Sequence, residues 1–133
     1  MVEKRRSLGP RWSLRQRLDA AVMLYVGARP PWPGRCRDVS IGGLFVETDT
    51  SPFTLNAPLA VGFAAVSEDG GIAYARLPAR VLRLDPGGLG LMLTDSRPQT
   101  LEALRALCFS CGVDPAVLFD PVRSWPPQTA MRL

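Results

Sequence analysis

Apolar and polar residues alternate over most of the stretch between residues 18 and 95, and this period is typical of β-strands with one buried face. The alternation is cleanest over residues 59–65, and the Asp-Gly-Gly of residues 69–71 then supplies a tight hairpin turn. Six short antiparallel strands close most readily into a small barrel, because closure removes exposed strand edges. The predicted strands cover residues 22–26, 35–39, 44–48, 59–65, 72–84 and 89–93.

Prolines and glycines mark the breaks between these strands. Residues 27–34 contain three prolines and are predicted to be a loop, and residues 85–88 form a second turn signal. Pro78 lies inside the long fifth strand. Because proline cannot donate a backbone hydrogen bond to a neighbouring strand, it indicates an edge position or a bulge there.

The period changes after Thr94, where residues 96–120 are predicted to be helical. Ser96 and Gln99 have the spacing of a capping box, and the helix is expected to end near Gly112. A short second helix is predicted from Asp114 to Phe119, followed by an irregular tail over residues 121–133. One helical face carries Leu101, Leu104, Leu107, Cys108 and Cys111.

The composition is that of a single soluble globular domain. The chain has 133 residues, of which 47% are hydrophobic and 21% charged. It lacks the run of about 18 apolar residues that a membrane helix needs, and its basic N-terminus lacks the apolar stretch of a secretory signal. Three cysteines, an odd number, argue against a disulfide framework. We therefore expect a cytoplasmic protein.

The positive charge is concentrated in residues 1–17, which we predict to be a flexible basic arm. This segment holds six Lys or Arg residues against one Glu, although the net charge of the whole chain is only +4. Such an arm attracts anionic ligands through its field. It would equally suit nucleic acid or an acidic partner, but Trp12 is the one aromatic residue among its charges, which is thin for a base-stacking surface.

The residue types exclude several kinds of catalysis and metal binding. The chain has no His, so a Ser–His or Cys–His dyad is impossible. Cys108 and Cys111 have CxxC spacing, but they lie on the apolar face of the predicted helix, and Cys36 is the one further thiol available to zinc. We predict core packing for them, no metal site, no cofactor and no enzymatic activity.

Two groups of residues suit a planar anionic ligand that forms hydrogen bonds. Arg11 and Arg15 place two guanidinium groups four residues apart on the arm. Asp38 and Ser40 are two residues apart in an extended segment, and Gly43 lets the backbone turn or another group approach closely. The alternative interpretation of Asp38 and Ser40 is a polar turn whose side chains bond nearby backbone groups.

These motifs, Arg11-xxx-Arg15 followed by Asp38-x-Ser40-xx-Gly43, resemble the pair that marks PilZ domains, the bacterial receptors for cyclic di-GMP. The resemblance covers residues 5–95 and includes a late strand pair around residues 79–83 and 88–93. It implies a six-stranded barrel over residues 18–95. It also assigns the arginines to bases and phosphates, Asp38 and Ser40 to guanine, and Gly43 to backbone shape.

The resulting hypothesis is a cyclic di-GMP receptor whose arm orders over the dinucleotide. Its signal would then leave through a downstream protein partner or a change between monomer and homodimer, in motility or biofilm control. One alternative is a PilZ-fold adaptor for pilus or motility machinery that binds no nucleotide. The other is a barrel whose basic arm binds nucleic acid, which the strong salt dependence of its affinity would reveal.

Overall fold

The computed structural model describes residues 15–66 and 69–114, and within them it has six strands and one helix. The elements are β1 (Gln16–Tyr25), β2 (Trp32–Val39), β3 (Gly43–Glu47), β4 (Pro58–Val66), β5 (Ile72–Asp85), β6 (Gly88–Leu93) and α1 (Pro98–Ser110). All neighbouring strands are antiparallel, and they close into a barrel in the order β1-β2-β3-β6-β5-β4. The predicted barrel with a C-terminal helix is therefore confirmed.

The core follows from the alternation in the sequence. Every second residue of a strand points into the barrel, and in β4 these are the four apolar residues at 59, 61, 63 and 65, all buried. Helix α1 adds Leu104, Leu107 and Cys108 to the same core. Burial of a leucine side chain contributes about 1.5–3 kcal/mol, so the contacts of α1 with the barrel contribute substantially to stability.

Two strands begin well before their predicted starts. β1 begins at Gln16, and β2 begins at Trp32, inside the stretch predicted to be a loop. Pro78 pairs with Ala60 of β4, whereas pairing with β6 begins one residue later, at Ala79. The expected edge position of Pro78 is therefore confirmed, while the bulge of β5 lies further along the strand.

The start of α1 differs from the prediction. Ser96 and Gln99 form no capping box, because Arg97 is the N-cap residue and the cap has no side-chain hydrogen bond. Instead the Asp95 carboxylate accepts hydrogen bonds from the Arg97 backbone N–H at 2.9 Å and from the Thr100 hydroxyl at 2.9 Å. These two bonds organise the turn that leads into the helix.

The end of α1 agrees with the prediction. The helix stops at Ser110, and Gly112 has a φ of 76°, a conformation that glycine adopts readily after a helix. The predicted second helix and the tail over residues 121–133 lie beyond residue 114, outside the described residues. In the part of the chain that is described, no helix combines the length and apolarity that crossing a membrane requires.

Candidate functional site

The Asp38-to-Gly43 motif forms the tight connection between β2 and β3. The Ser40 N–H donates to the Gly43 carbonyl at 2.8 Å, and the Gly43 N–H lies 3.2 Å from the Ser40 hydroxyl oxygen. Ser40 is only 3% exposed. Its hydroxyl therefore serves the backbone of this connection, which we call the corner (residues 40–43).

Gly43 is required by the neighbouring strand. It pairs with Met92 of β6, and a Cβ atom at position 43 would collide with the Leu91 carbonyl oxygen. The Gly42 carbonyl accepts a hydrogen bond from the Leu93 N–H at 2.9 Å. The corner is thus held against β6 by close packing on one side and a backbone hydrogen bond on the other.

Asp38 and Arg15 lie side by side just before the corner. The Arg15 Nη2 and Nε atoms lie 2.8 and 3.0 Å from the same Asp38 carboxylate oxygen. The pairing of β2 with β3 shifts register between Cys36 and Asp38, so a bulge falls next to the carboxylate. The Arg15 side chain is 49% exposed, and that of Asp38 is 28% exposed. An exposed ion pair of this kind contributes only about 0–1 kcal/mol.

Four of the five predicted site residues meet in this region: Arg15, Asp38, Ser40 and Gly43. Arg11 lies outside the described residues. The functional roles assigned to the five residues stay predictions. The turn interpretation of Ser40 agrees with its hydrogen bonds, whereas Asp38 directs its carboxylate to Arg15 rather than to the turn.

A cleft of about 200 Å³ opens beside the corner. Arg15 and the corner form one side of it, and Leu82, Arg83 and Met92 of β5 and β6 form the other. Leu82 and Met92 are 55% and 42% exposed, so two apolar side chains face solvent next to two guanidinium groups. These β5 and β6 residues were not predicted. The signal for them is the presence of apolar residues at outward positions of strands that otherwise alternate.

A network of exposed charges continues along the outer face of the barrel. Asp19 lies 2.6 Å from the Arg35 guanidinium and 3.2 Å from that of Arg37, which also pairs with Glu47 at 2.8 Å. The hydrogen bond from Arg35 and the nearby positive charges lower the pKa of Asp19. Arg17 and Arg37 border a shallow depression of about 420 Å³ on this face. Anionic groups that reach beyond the cleft would meet these side chains.

The cysteines lie in apolar surroundings. Burial raises the pKa of the Cys36 thiol to about 12 and that of Cys108 to about 11. Both thiols are therefore protonated and unreactive near neutral pH. The predicted core position is confirmed for Cys108, while Cys111 is half-buried, with its sulfur 3.8 Å from the Asp19 carbonyl oxygen.

Comparisons with known proteins identify the family of this chain. The crystal structure of the PilZ domain of CeSA, from a cellulose-synthesising bacterium, has a TM-score of 0.56 and 19% identity, and the match covers 73% of this chain and 94% of that one. An uncharacterised Legionella protein has a TM-score of 0.44 and 14% identity, with 71% and 89% covered. Curated proteins gave no match. The PilZ domain model matches residues 5–110, so the chain belongs to the PilZ domain family.

Proposed function

We propose that the chain is a cyclic di-GMP receptor that binds the dinucleotide beside the corner, with Arg11, Arg15 and Asp38 as its principal contacts. PilZ domains are a family of receptors for this second messenger, which supports the general function. The observation that carries the specific proposal is the exposed Arg15–Asp38 ion pair, whose Arg15 side chain borders the cleft. It brings a guanidinium and a carboxylate within reach of one ligand.

The chemistry of guanine fits these two groups. A guanine base has acceptors at O6 and N7, which an arginine side chain binds in a bidentate manner with about 1–3 kcal/mol of discrimination. Its N1–H and N2–H donors suit a carboxylate such as Asp38, and adenine lacks that pair of donors. The two phosphates of the ligand are suited to charge-assisted hydrogen bonds from arginine. Ser40 and Gly43 support this site by shaping the corner.

To bind the dinucleotide, Arg15 and Asp38 must separate from each other and form hydrogen bonds to the ligand instead. Because their ion pair is exposed, separating them costs about 0–1 kcal/mol, and new charge-assisted hydrogen bonds offset that loss. In the same proposal the basic arm, with Arg11, orders over the bound dinucleotide and creates a new surface. A downstream protein then recognises that surface.

A second candidate is a PilZ-fold adaptor that binds no nucleotide. The observation in its favour is that both polar side chains have partners within the chain, because Gly43 bonds the Ser40 hydroxyl and Arg15 bonds the Asp38 carboxylate. An adaptor would keep these contacts for stability alone. The two candidates differ in whether Asp38 recognises guanine.

Calorimetric titration with cyclic di-GMP, with cyclic di-AMP and GTP as controls, distinguishes them. We expect saturable binding of cyclic di-GMP, weaker or no binding of the controls, and loss of the guanine preference in Asp38→Ala. Since Asp38 is partly exposed, this variant should keep its fold, which circular dichroism would check. Absence of heat at protein concentrations far above micromolar would favour the adaptor.

A further inference from the structure

Strand β5 extends well beyond its neighbour β6. It has 14 residues, whereas β6 has six and pairs with β5 only from Ala79 to Asp85. On its other side β5 pairs with β4 from Ile72 to Arg80. In the described parts of the chain, the segment from residue 72 to residue 77, which we call the open edge, therefore has a strand on one side only.

The hydrogen bonds nearby show which backbone groups face away from β4. The Pro78 carbonyl accepts from the Thr94 N–H at 3.1 Å, on the β6 side, whereas the Val81 N–H and carbonyl bond Ala57 and Asn56, on the β4 side. Backbone groups alternate in direction along a strand. The N–H and C=O groups of residues 72, 74 and 76 therefore point outward from the open edge.

The open edge has few of the features that usually prevent strand pairing. Natural proteins protect edges with proline, inward-pointing charges or bulges. Here Pro78 and the bulge between Val81 and Arg83 both lie beyond residue 77. Ile72 is 77% exposed, and Tyr74 is 55% exposed with its hydroxyl hydrogen-bonded to that of Tyr25 on β1, across β4. Neither side chain places a charge beside the outward backbone groups.

An apolar groove of about 350 Å³ runs between the open edge and α1. Ala73 and Ala75 of β5 form one wall, and Ala103 and Ala106 of α1 form the other. An added strand would place alternate side chains in this groove, and only small ones fit beside the helix. Outward backbone groups and an adjacent groove are the two features of a site that accepts an extra strand.

We propose that a second copy of this chain pairs with the open edge, in antiparallel register centred on Tyr74. In that register Tyr74 lies opposite its own copy, and Ile72 lies opposite Arg76; these outward-facing residues exchange their backbone hydrogen bonds. Ala73 lies opposite Ala75 on the groove side. The closest approach of the two strands therefore involves the smallest side chains.

The charge pattern of the open edge suits pairing with a second copy of the chain. Arg76 is its one charged residue, and centring on Tyr74 places Arg76 opposite an aliphatic side chain rather than opposite its own copy. Centring on Arg76 would place this residue opposite its own copy, and like charges on directly opposite residues are unfavourable. The shared segment of five residues is only about 17 Å long, so we expect a dimer of modest, micromolar affinity.

Analytical ultracentrifugation of the nucleotide-free chain, from about 1 to 500 μM, tests this dimer. We expect concentration-dependent dimerisation. Tyr74→Pro removes an outward N–H without affecting pairing with β4, and it should weaken the dimer at least about tenfold. Tyr74→Phe is the matched control and should dimerise within about twofold of the parent chain. A chain that stays monomeric throughout, or a dimer unchanged by Tyr74→Pro, would overturn the proposal.

Disulfide crosslinking tests the register even if Tyr74→Pro fails to fold. In a Cys111→Ser background, the double variant Ala73→Cys, Ala75→Cys should form a covalent dimer on mild oxidation, because facing residues of this type lie about 4.5 Å apart. Ala73→Cys alone should not, because its nearest copy lies about 8 Å away. Equal crosslinking of the two variants would contradict the register. Neither experiment contains nucleotide, so the outcome is independent of the receptor proposal.

Discussion

The corner and the open edge are two parts of one barrel that differ in the hydrogen bonding of their backbone groups. At the corner the backbone groups of Ser40 and Gly43 bond each other, the Gly42 carbonyl accepts a hydrogen bond from β6, and glycine at position 43 allows a contact too close for any side chain. At the open edge the outward groups of β5 face no strand within the described residues. Because its backbone groups are hydrogen-bonded, the corner keeps a fixed shape for binding. The outward backbone groups of the open edge can instead accept an additional strand.

This difference separates the sites where substitution affects stability from those where it affects association. A change at the corner alters packing and buried hydrogen bonds, so it should lower the free energy of unfolding. A change of the exposed Ile72 side chain at the open edge alters no buried group, so it should leave stability almost unchanged.

Gly43→Ala should destabilise the protein by about 1–3 kcal/mol, because the added methyl group would overlap the Leu91 carbonyl oxygen. Gly42→Ala is the matched control. A Cβ atom there has no neighbour within 4 Å, so its effect should stay within about 0.5 kcal/mol. Chemical denaturation measures both. Similar losses for the two variants would mean that the corner is not tightly held.

Ser40→Ala should cost about 1 kcal/mol, because the buried Gly43 N–H loses its side-chain acceptor. Ser51→Ala, at an exposed position, should change the free energy of unfolding by less than about 0.5 kcal/mol. The same denaturation experiment checks this pair. A neutral Ser40→Ala would show that the hydroxyl is dispensable for the turn.

Acid should weaken the turn between β6 and α1, which lies between the two regions. Hydrogen bonds from Arg97 lower the pKa of Asp95 to about 2, below its ordinary value of 3.8. This carboxylate therefore stabilises the fold above pH 3.8, and the contribution disappears as the pH falls towards 2. The difference in melting temperature between the parent chain and Asp95→Asn should shrink over that range. A difference that is independent of pH would argue against the ionised pair.

Ile72→Ser, at the open edge, should give the smallest effect on stability, within about 0.5 kcal/mol, because the side chain is 77% exposed. Its melting temperature should match that of the parent chain at low protein concentration, where dimers are absent. A loss above 1 kcal/mol under those conditions would indicate that the edge is packed against another part of the same chain.

The barrel was predictable because its determinants are local. The alternation over residues 59–65 and the turn residues 69–71 specify a hairpin wherever they occur. The predicted capping box was wrong because Asp95, rather than Ser96, accepts the backbone hydrogen bond in this turn. Spacing alone does not decide which of two neighbouring polar side chains bonds the backbone. The open edge exists because β5 extends beyond the end of its neighbour β6. No local sequence pattern shows how the lengths of two paired strands compare.

The candidate site was predictable in part. Family motifs selected Arg15 and Asp38, but their ion pair joins residues 23 positions apart and requires β1 and β2 to be in register. The close contact of Gly43 likewise depends on its pairing with β6. Leu82, Arg83 and Met92 became neighbours of the cleft only once β5 and β6 were placed beside β3.

The most direct test of the account compares cyclic di-GMP binding by Arg15→Ala and Arg29→Ala in calorimetric titrations. Both variants lose one guanidinium group, but Arg29 lies at the loop end of the β1–β2 hairpin, where it bonds the Pro52 carbonyl. We predict that Arg15→Ala weakens binding by roughly 5- to 150-fold, from about 1–3 kcal/mol of lost contacts, while Arg29→Ala matches the parent chain. Equal affinities for both variants, or no binding by the parent chain, would contradict the proposal that the chain is a cyclic di-GMP receptor.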